Sequence, residues 1–246
     1  MAIPQIRILS TRPLEPALLD QAARADIRID TLSFIDTEPI RDTALTHQVQ
    51  QLGSRPLTAV FTSMNAVEAV AGHLAGSLPQ WQIFCIGAAT RRLVEAKFGP
   101  AAIAGTAPSA AALADVILEH HPSEVFFFCG DQRREELPDK LTRAGVRVHE
   151  LVVYRTTQTP HTVKEPYHGI VFFSPSAVHS FFSVNSTTEK TILFAIGKTT
   201  ADTIHTYVNN PVVTSATPEK EGLVRQIIDY YERLKDASPK DNQKNI

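Results

Sequence analysis

The chain has 246 residues, 43% of them hydrophobic, which is enough for one large domain or two smaller domains with filled cores. Its formal net charge of −2, with 20% charged residues of mixed sign, argues against a general attraction to nucleic acid or to anionic membranes. The first residues, MAIPQIRIL, do not resemble a signal peptide, and no apolar run approaches the roughly 18 residues of a membrane span. A cytoplasmic protein is therefore expected, with any acidic ligand bound by local groups.

Short β-like runs alternate with helical patterns along the chain, and the second half shows this most clearly. The runs there are EVFFF at 124–128, RVHELVVY at 147–154, GIVFFS at 169–174, ILFAIG at 192–197 and PVVTS at 211–215. Helices are predicted for the intervening RREELPDKLTRAG, SAVHSFFSVN, KTTADTIHTYV and EKEGLVRQIIDYYERL. Such alternation predicts an α/β fold in which parallel sheets are covered by helices on both faces. The tail at 236–246 has no apolar period and is expected to be disordered.

Cysteine and histidine provide no clear metal site. Cys85 and Cys129 each lie within an apolar β-like run, which favours buried free thiols in a reducing compartment. His120 and His121 are adjacent and would point to different faces of a helix, which favours a solvated helix end. No metal is predicted.

The charged segment 131–136 is interpreted as a solvated first helical turn. An arginine of this segment that faces a ligand remains an alternative.

The chain also contains an internal repeat. The phrase FTSMNAV at Phe61 resembles FFSPSAV at Phe172, and IGAAT resembles IGKTT. The two members of each pair are separated by nearly the same number of residues. Upstream, DIRIDTLSFIDT resembles GVRVHELVVYRT, and Thr11 aligns with Gly130 when the two copies are compared. The whole chain is therefore interpreted as two degenerate copies, 5–115 and 124–235, of a domain-sized unit. Chance similarity of β-α segments is the alternative.

The repeated phrases share one local design, in which an apolar strand ends, a hydroxyl residue follows and a helix begins. Ser63 and Ser174 are candidate N-caps, and Pro175 suits the first helical position. Such loops lie at the carboxyl edge of parallel strands, where ligands of open α/β sheets bind, and helix N-termini there suit carboxylates or phosphates. For any one loop alone, simple helix capping is the preferred explanation, and the matching loops in both copies favour a ligand cleft between them.

Tyr154 in LVVYRT is the strongest difference between the copies, because its counterpart is Ile35. An amphipathic strand tyrosine is the simpler explanation, and a functional phenol is the alternative. No GxGxxG, Walker, HExxH, GxSxG or CxxC motif occurs, so nucleotide, zinc-protease, hydrolase and redox functions have no support from motifs.

Taken in order, the phrases of the chain resemble uroporphyrinogen-III synthases over about 5–233. These phrases are FTSMNAVEA, FCIGAATRRLV, FFFCGDQRREELPDKLTRAGVRV, ELVVYRT, FFSPSAV, AIGKTTA and ATPEKEGLV. The resemblance implies two flavodoxin-like α/β domains joined by a two-stranded β-ladder. One domain would combine 1–34 with 159–246, the other would be 50–149, and 35–49 with 150–158 would form the connection.

The implied reaction takes hydroxymethylbilane, a linear tetrapyrrole with eight carboxylates, and closes it to uroporphyrinogen III with loss of water and inversion of ring D. Without the enzyme, ring closure proceeds without inversion. The resemblance implies no metal or organic cofactor, no nucleic acid or membrane partner, and a monomer.

The resemblance also implies roles for individual residues. Tyr154 matches the tyrosine proposed to assist departure of the substrate's hydroxyl group. Arg134 matches a recurring basic position that could pair with a carboxylate. Hydroxyl residues in the loops match positions that would bind the propionate and acetate groups of the substrate: Thr62, Ser63, Thr90, Ser174, Ser176, Thr199 and Thr200.

Two other functions remain possible on the sequence alone. A noncatalytic two-lobed binder of small molecules or tetrapyrroles would have the same architecture, and so would a flavodoxin-like regulatory or scaffolding protein. Because Tyr154 and the loop hydroxyls are present, the enzyme is the preferred interpretation.

Overall fold

The computed structural model describes residues 5–217 and 219–237. In this part of the chain, eleven strands occur: β1 (Ile6–Ser10), β2 (Ile27–Thr31), β3 (Ile35–Pro39), β4 (Leu57–Phe61), β5 (Trp81–Ile86), β6 (Ile103–Ala107), β7 (Glu124–Gly130), β8 (Arg147–Gln158), β9 (Gly169–Phe172), β10 (Ile192–Ala195) and β11 (Val212–Thr214). The same described residues form nine α-helices: α1 (Pro16–Arg24), α2 (Thr43–Gly53), α3 (Met64–Leu74), α4 (Gly87–Phe98), α5 (Ala110–Glu119), α6 (Glu136–Arg143), α7 (Pro175–Phe182), α8 (Lys198–His205) and α9 (Lys220–Ala237).

The chain divides into two compact units. Unit 1 contains the residues up to Asp36 and those from Thr157 onward, and unit 2 is Thr37–Thr156. The chain passes from one unit to the other within β3 and again within β8. This division places most of the segments at 35–49 and 150–158 in unit 2.

Each unit contains five parallel strands in the same spatial order. Unit 1 has the order β2-β1-β9-β10-β11, and unit 2 has β8-β7-β4-β5-β6 with β3 added beside β8. Strands β1 and β2 therefore correspond to β7 and β8, while β9–β11 correspond to β4–β6. Each sequence copy contributes its first two strands to one unit and its last three to the other.

Both faces of the unit 2 sheet are covered by helices, as alternation along β7 shows. Phe126 and Phe128 pack in the cluster that contains α2, α3 and α4 side chains. Val125 and Phe127 point to the opposite cluster, which contains α5 and α6 side chains. Burial on both faces explains why this strand is almost continuously apolar.

Unit 1 is built on the same principle. Ile8 and Val171 pack with α1 and α9 on one face of its sheet. Leu9 and Phe172 pack with α7 and α8 on the other face. The two units thus have separate hydrophobic cores of the same design.

Residues 43–49 differ from the expected β-ladder because they form the first part of α2. The Asp42 side chain accepts a hydrogen bond from Leu45 N at 2.9 Å and so caps this helix. Val49 and Leu52 then bury one helical face in the core. An N-cap followed by apolar residues at helical spacing favours helix over strand.

The end of the chain also differs in part from the expectation of disorder beginning at 236. Helix α9 continues to Ala237. Residues 238–246 lie outside the described residues.

Candidate active site

All five parallel strands of each unit end at one edge, which brings their following loops together. In unit 2, Phe61 of β4 is in register with Cys85 of β5 and Phe128 of β7. The loops that follow these strands are therefore neighbours, and β8 lies beside β7. This carboxyl edge of unit 2 holds Thr62, Ser63, Thr90, Arg134 and Tyr154.

The carboxyl edge of unit 1 holds the remaining candidates. Residues that follow β9 and β10 are neighbours because Phe172 is in register with Ala195. The hydroxyl residues at this edge are Ser174, Ser176, Thr199 and Thr200. The candidates thus form two groups, one in each unit, and both groups lie where parallel α/β sheets bind ligands.

The helix starts after β4 and β9 have the same construction. Ser63 Oγ accepts a hydrogen bond from Ala66 N at 3.3 Å, and Ser174 Oγ accepts one from Ala177 N at 3.2 Å. Pro175 occupies the first turn of α7. The predicted caps are confirmed, and both serine hydroxyls have a structural partner already.

The helix starts after β5 and β10 share a glycine and, three residues later, a buried threonine, although the two glycines differ in conformation. Gly87 begins α4 with a φ of 75°, and Gly197 precedes α8 in extended backbone. Thr90 and Thr200 are buried, with 6% and 0% exposure, whereas Thr199 is exposed. Thr200 Oγ1 finds no hydrogen-bond partner among the described residues, which is unusual for a buried hydroxyl.

The segment at 131–135 does not form the first turn of a helix, as the sequence suggested, because α6 begins only at Glu136. Instead it is a loop that is held to neighbouring carboxylates. Arg133 forms ion pairs with Glu150 and, at 2.6 Å, with Glu135. Hydrogen bonds to Glu135 and Glu150 raise the pKa of Arg133. The neighbouring Arg134 is exposed and makes no ion pair with any described residue.

Tyr154 lies in β8 where the pairing of this strand with β7 ends, half-buried against the core that contains α2–α4 side chains. Its position beside the loop after β7 brings it close to Gly130 and Asp131. Sequence reasoning did not assign a role to either residue. Their only sequence signal is a Gly-Asp pair that immediately follows an apolar strand.

The two cysteines are buried and free, as predicted. Burial raises the pKa of Cys85 to about 11 and that of Cys129 to about 12. Because thiolates are the reactive form, neither thiol suits nucleophilic catalysis near neutral pH. In the described part of the chain, no three His, Cys, Asp or Glu side chains are grouped to hold a metal ion.

The histidines at the end of α5 also have local partners. His120 is the C-cap of this helix, and its ring lies edge-on to Phe84 with centroids 5.0 Å apart. His121 follows with a positive φ of 49°. The His120 ring thus packs at the helix end, whereas His121 is held there by its backbone N–H, which donates to Leu118 O at 3.1 Å.

Comparisons with known proteins agree on one family. The family model described as uroporphyrinogen-III synthase HemD matches residues 17–225. A search of curated protein sequences gave no significant match.

Solved structures with a similar fold include two uroporphyrinogen-III synthases. A mutant uroporphyrinogen III synthase from the extremely thermophilic bacterium Thermus thermophilus is similar with a TM-score of 0.59 and 17% identity, over 94% of this chain and 99% of that chain. Uroporphyrinogen-III synthetase from Helicobacter pylori is similar with a TM-score of 0.59 and 15% identity, over 92% of this chain and 99% of that chain. The predicted α/β class with parallel sheets is confirmed. None of the helices in the described residues combines the length and apolar character needed to cross a bilayer.

Proposed function

This chain belongs to the uroporphyrinogen-III synthase family, which cyclises hydroxymethylbilane in haem biosynthesis, and we propose that its reaction takes place on the loops at the carboxyl edges of its sheets. The observation that carries this proposal is the repeated helix start, IGAAT in one unit and IGKTT in the other, with a buried threonine at the matched position. The presence of such a loop in both units suits a substrate with many similar acidic groups.

The substrate's eight carboxylates need binding groups on a chain whose net charge is −2. Helices α3 and α4 in unit 2, and α7 and α8 in unit 1, begin at the carboxyl edges. Free backbone N–H groups and the positive end of the helix dipole favour anions at such positions. We expect propionate and acetate groups to bind these helix starts, with Thr62, Ser63, Thr90, Ser174, Ser176, Thr199 and Thr200 beside them.

Arg134 is the candidate for a direct ion pair with a substrate carboxylate. Arg134 is exposed in the loop after β7, whereas the adjacent Arg133 already forms ion pairs with Glu135 and Glu150. An arginine can bind a carboxylate through two parallel N–H bonds, which also fixes its orientation.

The reaction needs an acid at one point, the departure of the terminal hydroxyl group as water. Phenols are protonated at neutral pH and can donate to a departing oxygen, although they are modest acids. We assign this role to Tyr154. Departure of the hydroxyl leaves an electrophilic azafulvene at that end of the substrate.

The remaining steps require positioning more than chemical groups. The substituted α-carbon of ring D attacks the azafulvene carbon and forms a spiro intermediate. The original bond from this α-carbon to the methylene bridge of ring C then breaks and leaves a second azafulvene on ring C. The free α-carbon of ring D attacks that azafulvene and loses its proton, which closes the macrocycle with ring D inverted. Holding reacting ends in such an approach can contribute several kcal/mol, on the order of that seen in well-oriented intramolecular reactions. Many weak contacts to carboxylates suit that task.

The test is to give the purified protein freshly made hydroxymethylbilane without added cofactor and to separate the oxidised uroporphyrin isomers by chromatography. Predominant isomer III is expected. Isomer I at the uncatalysed rate would contradict the proposal and favour a noncatalytic tetrapyrrole binder. We further propose that the protein is a cytoplasmic monomer without a nucleic-acid partner, and the net charge of −2 supports the last of these expectations.

A further inference from the structure

The pairing of β7 with β8 contains one irregularity, and it lies at Tyr154. Cys129 is in register with Val152, but the next residue of β7, Gly130, is in register with Tyr154. Val153 is therefore an extra residue in β8, which defines a β-bulge.

The bulge changes the face on which Tyr154 lies. Leu151 and Val153 point into the core that contains α2–α4 side chains. In a regular strand the next residue would point to the opposite face. Tyr154 instead packs against the same core as Val153, so the extra residue redirects the phenol.

Gly130 provides the space that the redirected ring occupies. A Cβ atom on Gly130 would lie 2.6 Å from Cε2 of Tyr154 and 2.8 Å from its hydroxyl oxygen. Real Cβ atoms do not approach other heavy atoms so closely, so the ring lies directly on the glycine backbone. Among the described glycines, positive φ values occur at Gly76, Gly87, Gly99 and Gly145 and not at Gly130. Space, and not backbone conformation, is thus the requirement at this position.

The backbone around Tyr154 is held to the loop after β7, which leaves the side chain little freedom to avoid a new atom. Asp131 N donates to Tyr154 O at 3.2 Å, and Asp131 Oδ1 accepts from Thr156 N at 2.9 Å. Gln132 Nε2 donates to Thr156 O at 3.1 Å. These bonds fasten β8 at the tyrosine carbonyl and two residues beyond it.

We infer that Gly130 is a positioning residue for the reaction. Because it has no side chain, it leaves the space in which the phenol of Tyr154 lies at the carboxyl edge of unit 2. The inference rests on the proposed role of Tyr154. It adds a residue that touches no substrate and acts only by where it allows the ring to lie.

The first experiment compares Gly130→Ala, Tyr154→Phe and the double variant by steady-state kinetics with isomer separation. We expect Gly130→Ala to lower kcat by about tenfold or more, since a misplaced acid loses much of its effect, with little change in KM. Adding Gly130→Ala to Tyr154→Phe should cause a much smaller further loss, because the hydroxyl group is already absent. The control is Gly72→Ala, at an exposed helical glycine with no atom within 4 Å of the added Cβ, and it should retain the wild-type rate.

The second experiment measures thermal midpoints in a cycle with Tyr154→Ala. Gly130→Ala should lower the midpoint when the tyrosine is present and should leave it unchanged or raise it when residue 154 is alanine. Should Gly130→Ala alone fail to fold, recovery of folding in the Gly130→Ala/Tyr154→Ala protein would support the same steric coupling.

The outcomes separate this inference from the proposed function. Wild-type kcat for Gly130→Ala together with a slow Tyr154→Phe enzyme would overturn the inference and leave the role of Tyr154 intact. Wild-type kcat for Tyr154→Phe would refute the role of Tyr154 and the inference with it. An equal midpoint loss from Gly130→Ala in both backgrounds would show that Gly130 acts through another neighbour, which also overturns the inference.

Discussion

The corner formed by β1 and β2 in unit 1 differs from the equivalent corner formed by β7 and β8 in unit 2. The first pair is regular along its length, with Ser10 in register with Thr31. The second pair contains a bulge, with Val153 as the extra residue of β8, and ends where Gly130 is in register with Tyr154. In the alignment of the two sequence copies the residue matched to Gly130 is Thr11, which is buried and donates to Val171 O at 2.7 Å.

The helix starts are more alike in the two units, because their capping serines and buried threonines occupy matched positions. Ser63 and Ser174 cap their helices in the same way, and Thr90 and Thr200 are both buried one turn into theirs. The comparison therefore separates two kinds of feature. The helix starts, which the units share, suit binding of repeated carboxylates. The β7–β8 corner, which has no equivalent bulge in unit 1, carries the proposed acid Tyr154.

The largest expected effect is the loss of stability when a core phenylalanine of either unit is changed to alanine. It tests whether the two hydrophobic cores unfold independently. Phe128 stacks on Trp81 in unit 2 with ring centroids 5.3 Å apart, and Phe172 lies in the core of unit 1. Each change to alanine should cost about 3–5 kcal/mol by leaving a cavity. Trp81 is the single tryptophan of the chain, so its fluorescence follows unit 2 during denaturant unfolding.

Phe128→Ala should shift the midpoint of the fluorescence transition strongly to lower denaturant concentration. Phe172→Ala should shift mainly the part of the circular dichroism transition that comes from unit 1. An equal shift of the fluorescence midpoint by both variants would show that the units unfold as one cooperative structure.

The next effect concerns the matched threonines. Thr200→Val removes a buried hydroxyl group that has no partner in the described residues, so stability should stay the same or increase. If the hydroxyl binds a substrate carboxylate, KM should rise by about tenfold while kcat changes little. Thr90→Val should raise KM similarly. A KM change in only one of the two variants would show that binding is not shared equally by the units.

Much of this arrangement could be predicted from residue patterns, and some of it could not. The strand at β7 and the caps at Ser63 and Ser174 follow from local residue types, which act over a few positions. The matched threonines follow from the repeat. The packing of the Tyr154 ring on Gly130 depends on how β8 aligns with β7, and no local pattern specifies that register.

Substitution of the capping serines would distinguish capping from substrate binding. Ser63→Ala and Ser174→Ala should each lower the free energy of unfolding by about 1 kcal/mol. Ser109 caps α5 in the same way, its Oγ accepting from Ala112 N at 3.2 Å, and Ser109→Ala is the matched control. KM should rise for the first two variants and stay unchanged for the control. Unchanged KM in all three would mean that capping fully explains the serines.

The smallest effect is a pH dependence within unit 1. Partial burial alone would raise the pKa of Asp30, but hydrogen bonds from Arg7, Arg28 and Tyr167 lower it overall. A lowered pKa stabilises the fold above the ordinary aspartate pKa of about 4, and this contribution is lost as pH falls below that value. Because Asp30 and its ion-pair partner Arg7 are both partly exposed, we expect this contribution to the free energy of unfolding to be at most about 1 kcal/mol.

The measurement is urea unfolding of the wild type and Asp30→Asn between pH 6 and pH 3. The stability difference should shrink toward low pH. A difference that is constant across this range would contradict the assignment.

The central claim, that the acid acts from the irregular corner of unit 2, is tested most directly by comparing two tyrosine-to-phenylalanine variants under saturating substrate. Tyr154→Phe removes the proposed acid, whereas Tyr167→Phe removes a hydroxyl group in unit 1 that donates to Asp30 at 3.1 Å. We predict that Tyr154→Phe lowers kcat by about ten- to a hundredfold with KM nearly unchanged, and that Tyr167→Phe keeps the wild-type kcat. Equal, wild-type kcat values for both variants would contradict the claim.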